Sequence, residues 1–204
     1  MTKNSGSRTY EVYGLRIASE IKLRDLAEGS GPADVTIEFG QLPPAVVNPH
    51  FDSDEVFLSP RRETRVSGAA LFYDWAGIGR VLILEGRRVI IERAVGSIID
   101  DLDPFITGPV LAVLLHQRGS LVLHGSSILA TNGSAAGFLG AKGAGKSTLA
   151  ACMQVRGYKL LSDDILTIDQ HGDSVSTKAG YHRIKLFPDS VLVNEPMNVR
   201  KIGR

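Results

Sequence analysis

Residues 136–149 decide the fold of this chain, and they read Ala-Gly-Phe-Leu-Gly-Ala-Lys-Gly-Ala-Gly-Lys-Ser-Thr-Leu. The segment contains the Walker A pattern G-x-x-x-x-G-K-[ST], which is typical of a loop whose backbone N–H groups surround phosphate oxygens. In such a loop Lys146 supplies a positive charge for the phosphates, and Ser147 supplies a hydroxyl for Mg²⁺. The predicted phosphate-binding residues are Gly140, Ala141, Lys142, Gly143, Ala144, Gly145, Lys146, Ser147 and Thr148.

The elements on either side of this loop fit the pattern. The apolar residues 136–139 predict a strand, and residues 148–156 predict a helix that Gly157 closes. A strand, a loop and a helix in this order are the context that the motif requires. The alternative is a glycine-rich turn that matches by chance, and the flanking elements disfavour it.

Composition excludes several classes of partner. The chain has 204 residues, with 23 Lys and Arg against 22 Asp and Glu, so its formal net charge of +1 favours neither nucleic acid nor an anionic membrane. A single cysteine, Cys152, allows no internal disulfide, and we expect it to be a packed, inert thiol in a reducing cytoplasm. The most apolar run, residues 106–115, is too short to cross a bilayer. We therefore expect a cytoplasmic protein with no membrane segment.

The first part of the chain predicts a β-rich module. Alternating apolar residues mark short strands separated by turns at Gly14, Gly77–Gly79 and Gly86-Arg87, and we expect the strands to pair antiparallel. We predict two domains, 1–102 as the β-rich N-terminal module and 103–204 as the nucleotide-binding domain. The later strand candidates are Val35–Phe39, Glu55–Leu58, Thr64–Val66, Ala69–Trp75, Val81–Glu85 and Val89–Arg93.

Two clusters admit both a functional and a structural interpretation. The aromatic residues Phe72, Tyr73 and Trp75 could stack on a ligand, but large residues on a strand more commonly pack in a core. The carboxylates between Asp100 and Asp103 could bind a metal. However, Asp103 followed by proline favours a capped helix start, and a buried helix is predicted over residues 104–118.

The second half of the chain alternates strands with turns. Residues 121–124 and 128–131 predict two short strands with Gly125-Ser126-Ser127 between them, and Asn132-Gly133 predicts a hairpin turn before the loop-bearing strand. Residues 158–162 predict another strand, which ends in Asp163-Asp164. Successive strand residues point to opposite faces, so one carboxylate can hold Mg²⁺ while the other faces a substrate. The structural alternative is a pair that caps a helix or a turn.

These motifs together resemble the HPr kinase/phosphorylase family. The resemblance rests on His124-Gly125, the phosphate loop, Arg156-Gly157-Tyr158 and Leu161-Ser162-Asp163-Asp164, in this order. It covers about residues 105–190. Residues 104–118 and 181–189 are more similar to the divergent HPr kinase-like serine kinases, some of which belong to peptide-tailoring clusters, including lasso-peptide clusters.

The resemblance implies an α/β P-loop kinase domain with a mixed sheet and flanking helices. It implies ATP and Mg²⁺ as cofactors and, as partner, a protein or peptide that carries the acceptor serine. Asp163 would be the base toward the serine hydroxyl, Asp164 the Mg²⁺ partner, and His124 a neighbour of the transferred phosphoryl group. Without the resemblance, His124 is more typical of a hydrogen-bonded core residue. The family also implies assembly into homo-oligomers.

Some features of the chain depart from the family. Thr148 stands where an acidic residue often follows the Lys-Ser pair, and the downstream glycine-rich segment with its Glu has no counterpart before Arg204. These departures weaken the case for phosphorylase activity and for HPr as acceptor, and we expect the domain to lack its C-terminal part or to be a short form. Arg183 and Lys185 share a face of an extended segment and either meet phosphate or an acidic substrate, or are solvated.

Two other functions remain open. One is a nucleotide-binding regulatory or scaffold module without transfer activity, and the other is a P-loop ATPase. Among these alternatives the sequence favours a serine kinase.

Overall fold

The computed structural model describes residues 6–47, 55–59, 62–98, 102–181, 183–186 and 199–201. They form a mixed α/β structure with two main sheets and few helices. The chain divides into two compact units. The first consists of Met1–Glu11 and Leu15–Arg118, and the second of Val12–Gly14 and Gly119–Arg204.

A nine-stranded sheet dominates the first unit, in the order β3-β1-β2-β4-β9-β8-β7-β6-β5. Its core is apolar, with Val81, Ile83, Val89 and Ile91 fully buried. A short helix, α1 (Pro44–Val47), follows β4. The strands are β1 (Arg8–Val12), β2 (Leu15–Ser19), β3 (Ala27–Glu28), β4 (Val35–Phe39), β5 (Glu55–Ser59), β6 (Arg62–Ser67), β7 (Ala70–Trp75), β8 (Gly79–Leu84) and β9 (Arg88–Arg93).

The predicted antiparallel pairing holds for only part of this sheet. Strands β5 to β9 pair antiparallel in chain order, as expected for consecutive hairpins. In contrast, β2 pairs with β4 and β4 with β9 in parallel. The meander β5–β8 lies between β4 and β9 along the chain, so no hairpin joins these two strands.

The helical stretch after the first sheet differs from the prediction in its start and its regularity. It comprises α2 (Leu102–Phe105), a π-helical segment (Ile106–Val110) and α3 (Leu111–Gln117). Asp103 lies inside the first turn instead of capping it, and its Oδ2 accepts the backbone N–H of Arg24 at 3.2 Å. Pro109 has no N–H to donate, which favours the wider π-helical turn around it. Asp100 and Asp101 lie outside the described residues.

This helical stretch belongs to the first unit, and the division between the two compact units falls after Arg118. The Phe105 ring meets Tyr73 and Trp75 edge-on, with ring centroids 5.8 and 4.9 Å away. Near the helix end, Gln117 Nε2 donates to Ala69 O at 2.9 Å. Phe72 and Tyr73 are buried, which confirms that the aromatic cluster packs in a core.

The second unit is built around the long strand β10 (Leu121–Leu129), which pairs antiparallel with three strands. Its first half pairs with β13, and its second half lies between β11 and β12. The predicted interruption at residues 125–127 is absent, and a register shift between Ser127 and Ile128 replaces it. The other elements are β11 (Ala135–Leu139), α4 (Lys146–Val155), β12 (Lys159–Ser162), β13 (Ile165–His171), β14 (Ser174–Ser176), β15 (Ile184–Leu186) and β16 (Val199–Lys201).

Strands β11 and β12 run in the same direction, because each is antiparallel to β10 between them. Helix α4 connects them and buries Ala150 and Ala151 against Ile128 and Leu160. The carboxyl ends of β11 and β12 therefore lie at one edge of the sheet. In the part of the chain that the structure describes, no helix is long and apolar enough to cross a membrane.

Candidate functional site

The loop after β11 has the backbone conformation that its glycines permit. Gly143 and Gly145 have φ values of +83° and +84°, a region that L-residues with side chains rarely adopt. Gly145 directly precedes α4, and its carbonyl accepts the N–H of Leu149 at 2.8 Å. Residues 140–145 are exposed, so the loop is accessible to a ligand at the N-terminal end of the helix.

Lys146 is the buried cation of this loop, with a relative exposure of 8%. Its ammonium donates to the carbonyl oxygens of Gly140 and Ala141 at 2.9 and 3.0 Å. An ammonium has three protons, so these two bonds leave one for an anion above the loop. Burial in this position makes its charge more effective than that of an exposed lysine.

Asp163 lies at the end of β12 and faces the loop. Its side chain is almost fully buried, with 1% exposure. The oxygen Oδ1 accepts the hydroxyl of Ser147 at 2.9 Å and the hydroxyl of Ser126 at 2.6 Å. Strand β10, helix α4 and the end of β12 each contribute one of these three side chains, so the cluster depends on the long-range pairing of the sheet.

The Ser147–Asp163 pair has the chemistry of a magnesium site. A serine hydroxyl has one proton and two lone pairs, so donation to Asp163 leaves the lone pairs of Ser147 for a cation. Mg²⁺ prefers oxygen ligands and is usually bound by one or two protein groups together with phosphates. No group of three His, Cys, Asp or Glu suited to a metal occurs among the described residues. Ser147 and Asp163 could supply oxygen ligands to such an ion.

Asp164 and His124 meet through the backbone. Asp164 has φ +70° and lies in the two-residue break between β12 and β13, which follow one another in the same direction along β10. His124 Nδ1 lies 3.1 Å from Asp164 O, and a carbonyl can only accept, so Nδ1 carries the proton. In the neutral ring, Nε2 is then an acceptor. His124 is exposed, so it is not the buried, hydrogen-bonded core residue that a histidine at this position would otherwise suggest.

The structure thus brings together Lys146, Ser147 and Asp163 from the predicted site. Asp163, which the resemblance assigned as base, hydrogen-bonds to Ser147, whereas the backbone carbonyl of Asp164 accepts a hydrogen bond from His124. Arg183 is partly buried, and the side chain of Lys185 lies outside the described residues. Cys152 is a partly buried free thiol.

Sequence reasoning missed Ser126 as a member of this cluster. Two adjacent serines, Ser126 and Ser127, interrupt an otherwise apolar strand directly after His124-Gly125. Because successive strand residues point to opposite faces, Ser126 and Ser127 had to place one hydroxyl on each face of the sheet. Polar residues in a paired strand beside a phosphate loop were the available signal.

A buried tyrosine supports the break between β12 and β13 beside the site. Tyr13 donates its hydroxyl to Ile165 O at 2.8 Å, and its N–H bonds to Ala179 O at 2.9 Å. Burial raises the pKa of the Tyr13 phenol, so this side chain stays a neutral donor. The residue that accepts its hydrogen bond directly follows Asp164.

A second buried carboxylate, Asp169 on β13, has a different environment. Its oxygens lie 2.6 Å from Ser120 Oγ and 3.1 Å from Lys178 Nζ. Burial raises the pKa of Asp169, but the hydrogen bond from Ser120 and the ammonium of Lys178 outweigh it, and the net shift is downward. Asp169 is thus a structural anion paired with its own cation.

Neither protein-family models nor curated protein sequences gave a match to this chain. The resemblance to HPr kinase-like serine kinases therefore remains a prediction from the motifs.

Proposed function

We propose that this chain is an ATP- and Mg²⁺-dependent kinase that transfers the γ-phosphoryl group to a serine hydroxyl of a protein or peptide. The observation that carries the proposal is the 2.9 Å hydrogen bond from Ser147 to Asp163. It joins the end of the Walker A motif to a carboxylate at the end of a neighbouring strand, as a nucleotide–magnesium site requires. The choice of a serine acceptor rests on the resemblance of the flanking motifs.

The same hydrogen bond revises the roles within the Asp pair. We assign Asp163 to the magnesium side, together with Ser147, and Asp164 to the serine hydroxyl as general base. The resemblance implied the reverse. The Oδ1 oxygen of Asp163 already accepts hydrogen bonds from two hydroxyl groups. Such an oxygen is better suited to orienting a metal ligand than to removing a proton.

The reaction is an in-line transfer. The serine oxygen forms a bond to the γ-phosphorus, the bond from that phosphorus to the β,γ-bridging oxygen breaks, and ADP leaves. The hydroxyl proton passes to Asp164. Bound Mg²⁺ would neutralise charge on the β- and γ-phosphate oxygens. Lys146 and the loop N–H groups hold the phosphates, so the contribution of the protein is positioning and electrostatic stabilisation.

The test measures binding and transfer separately in Asp163→Asn and Asp164→Asn. With γ-labelled ATP and a library of serine peptides, Asp164→Asn is expected to bind Mg-ATP normally and to lose about 10²- to 10⁴-fold in transfer rate. Asp163→Asn is expected to weaken the Mg²⁺ dependence of ATP binding. The opposite pattern would restore the assignment implied by the resemblance.

The same assay separates the kinase from the other functions. The matched control is the library with alanine in place of each serine, which should accept no label. ATP binding without labelling of any serine peptide would contradict the kinase and favour a regulatory or scaffold module. Phosphate release at an equal rate with and without peptides would favour an ATPase.

A further inference from the structure

We infer that Ser126 is a positioning residue that orients Asp163 and thereby sets the magnesium affinity of the site. This inference rests on the proposed function, because it concerns the same metal–nucleotide site. Ser126 does not belong to the Walker A motif or to the Asp pair.

The geometry gives Ser126 the shorter of the two hydrogen bonds to Asp163. Its hydroxyl lies 2.6 Å from Oδ1, against 2.9 Å for Ser147, and both donate to the same oxygen. Ser126 is 1% exposed, so water cannot readily replace this donor. A short, buried hydrogen bond to a carboxylate is among the stronger ones in proteins.

Ser126 also has the more rigid support. It lies inside β10, where it is in register with Phe138 of β11. Asp163, in contrast, follows the last residue of β12 and directly precedes the positive-φ residue Asp164. A donor on a central strand therefore fixes the carboxylate of a residue in the break between β12 and β13. Oδ1 is thereby placed to accept the hydrogen bond from Ser147. That bond in turn directs the lone pairs of the Ser147 hydroxyl outward.

The neighbouring Ser127 provides a matched control. It is equally buried, with 0% exposure, and its hydroxyl pairs with Ser162 Oγ at 2.7 Å. The two serines are neighbours in sequence, both are buried, and the hydroxyl of each is hydrogen-bonded. Their side chains point to opposite faces of the strand. They differ in that only Ser126 donates to Asp163.

The experiment titrates Mg²⁺ into the full chain with a non-hydrolysable ATP analogue, for wild type, Ser126→Ala and Ser127→Ala. Loss of a group that orients a metal-site residue typically costs about 10- to 100-fold in metal affinity. Ser126→Ala is therefore expected to need at least about tenfold more Mg²⁺, and Ser127→Ala the wild-type amount. Binding of the analogue in EDTA should be unchanged in both variants, because the loop and Lys146 are intact.

Each outcome is decisive. If Ser126→Ala and Ser127→Ala require the same Mg²⁺ concentration while wild type binds Mg-nucleotide, Ser126 has no positioning role and the proposed function stands. If wild type binds no nucleotide with or without Mg²⁺, both proposals are overturned. A general structural defect would weaken binding in EDTA as well. Should Ser126→Ala not fold, Ser126→Cys keeps a similar side-chain size with only a weak donor, and the same magnesium shift is expected.

Discussion

Two buried regions of the molecule are built from different kinds of residue: the apolar strands of the first unit, and the polar cluster beside the apolar core of the second. In the first unit, apolar strand residues such as Val81, Ile83 and Ile91 fill the space beneath the nine-stranded sheet. In the second, Ser126 and Asp163 are buried to the same degree as those aliphatic side chains. Burying a polar group is unfavourable unless it finds a hydrogen-bond partner, and these two are partners of each other.

This difference separates stability from function within one chain. Apolar burial stabilises a fold whatever its detailed arrangement, at about 25 cal/mol per Å² of apolar surface. A buried polar cluster contributes little net stability but requires one arrangement of its donors and acceptors. Changes in the apolar interior of the first unit should therefore affect unfolding, and changes in the polar cluster around Asp163 should affect ligand binding.

The largest effect is expected for Phe105→Ala in the first unit. This removes a ring that packs edge-on against Tyr73 and Trp75, and such truncations cost about 3–5 kcal/mol in free energy of unfolding. Denaturant unfolding would measure the loss. The control is Val95→Ala at a fully exposed position, where a change within about 0.5 kcal/mol is expected. Under conditions where the variant is folded, ATP affinity should be unchanged, and a selective loss of affinity would break the contrast between the units.

A smaller effect, on ATP affinity and not on stability, is expected for Lys146→Ala. Hydrogen bonds to charged groups contribute about 1.5–3 kcal/mol, which corresponds to a loss of about 10- to 150-fold in ATP affinity. The carbonyls of Gly140 and Ala141 belong to exposed residues and can bond to water, so the melting temperature should hardly change. Lys159→Ala, at an exposed position on β12, is the charge-matched control. Equal ATP affinities in the two variants would contradict the role of Lys146.

The smallest effect is a pH dependence within the second unit. The folded pKa of Asp169 is lowered, so its contribution to stability is present above the unfolded pKa of about 3.9 and is lost as the pH falls through the folded value. The melting temperature should therefore fall below about pH 4, and Asp169→Asn should reduce that slope. An unchanged slope in Asp169→Asn would exclude Asp169 as the source.

The local elements near the phosphate loop could be predicted from the sequence. The strand before the loop, helix α4 and the hairpin turn with Gly133 at positive φ all follow from local residue patterns. The same holds for the aromatic core positions Phe72 and Tyr73, since large residues on a strand commonly pack in a core. Glycines, turn residues and alternating apolar residues determine the conformation of only a few neighbouring residues. These features can therefore be predicted from the local sequence.

Other features depend on partners distant in the chain and could not be predicted. The parallel pairing of β4 with β9 joins residues as far apart as Thr36 and Arg88. The helix over 102–117 joins the first unit through contacts with residues such as Tyr73. Ser126 finds Asp163 across 37 residues. The sequence pointed to the pair Asp163-Asp164, but it could not indicate which member accepts a hydrogen bond from Ser147.

The parallel course of β11 and β12 has a consequence for the order in which the site forms during synthesis. When the ribosome has released the chain as far as Gly157, the β10–β11 hairpin and the phosphate loop are complete, and Asp163 is still missing. Local hairpins close faster than pairings that must wait for a crossover helix. A nascent chain can thus form the hairpin and the glycine-rich loop before it acquires Asp163, the carboxylate that accepts the hydrogen bond of Ser147.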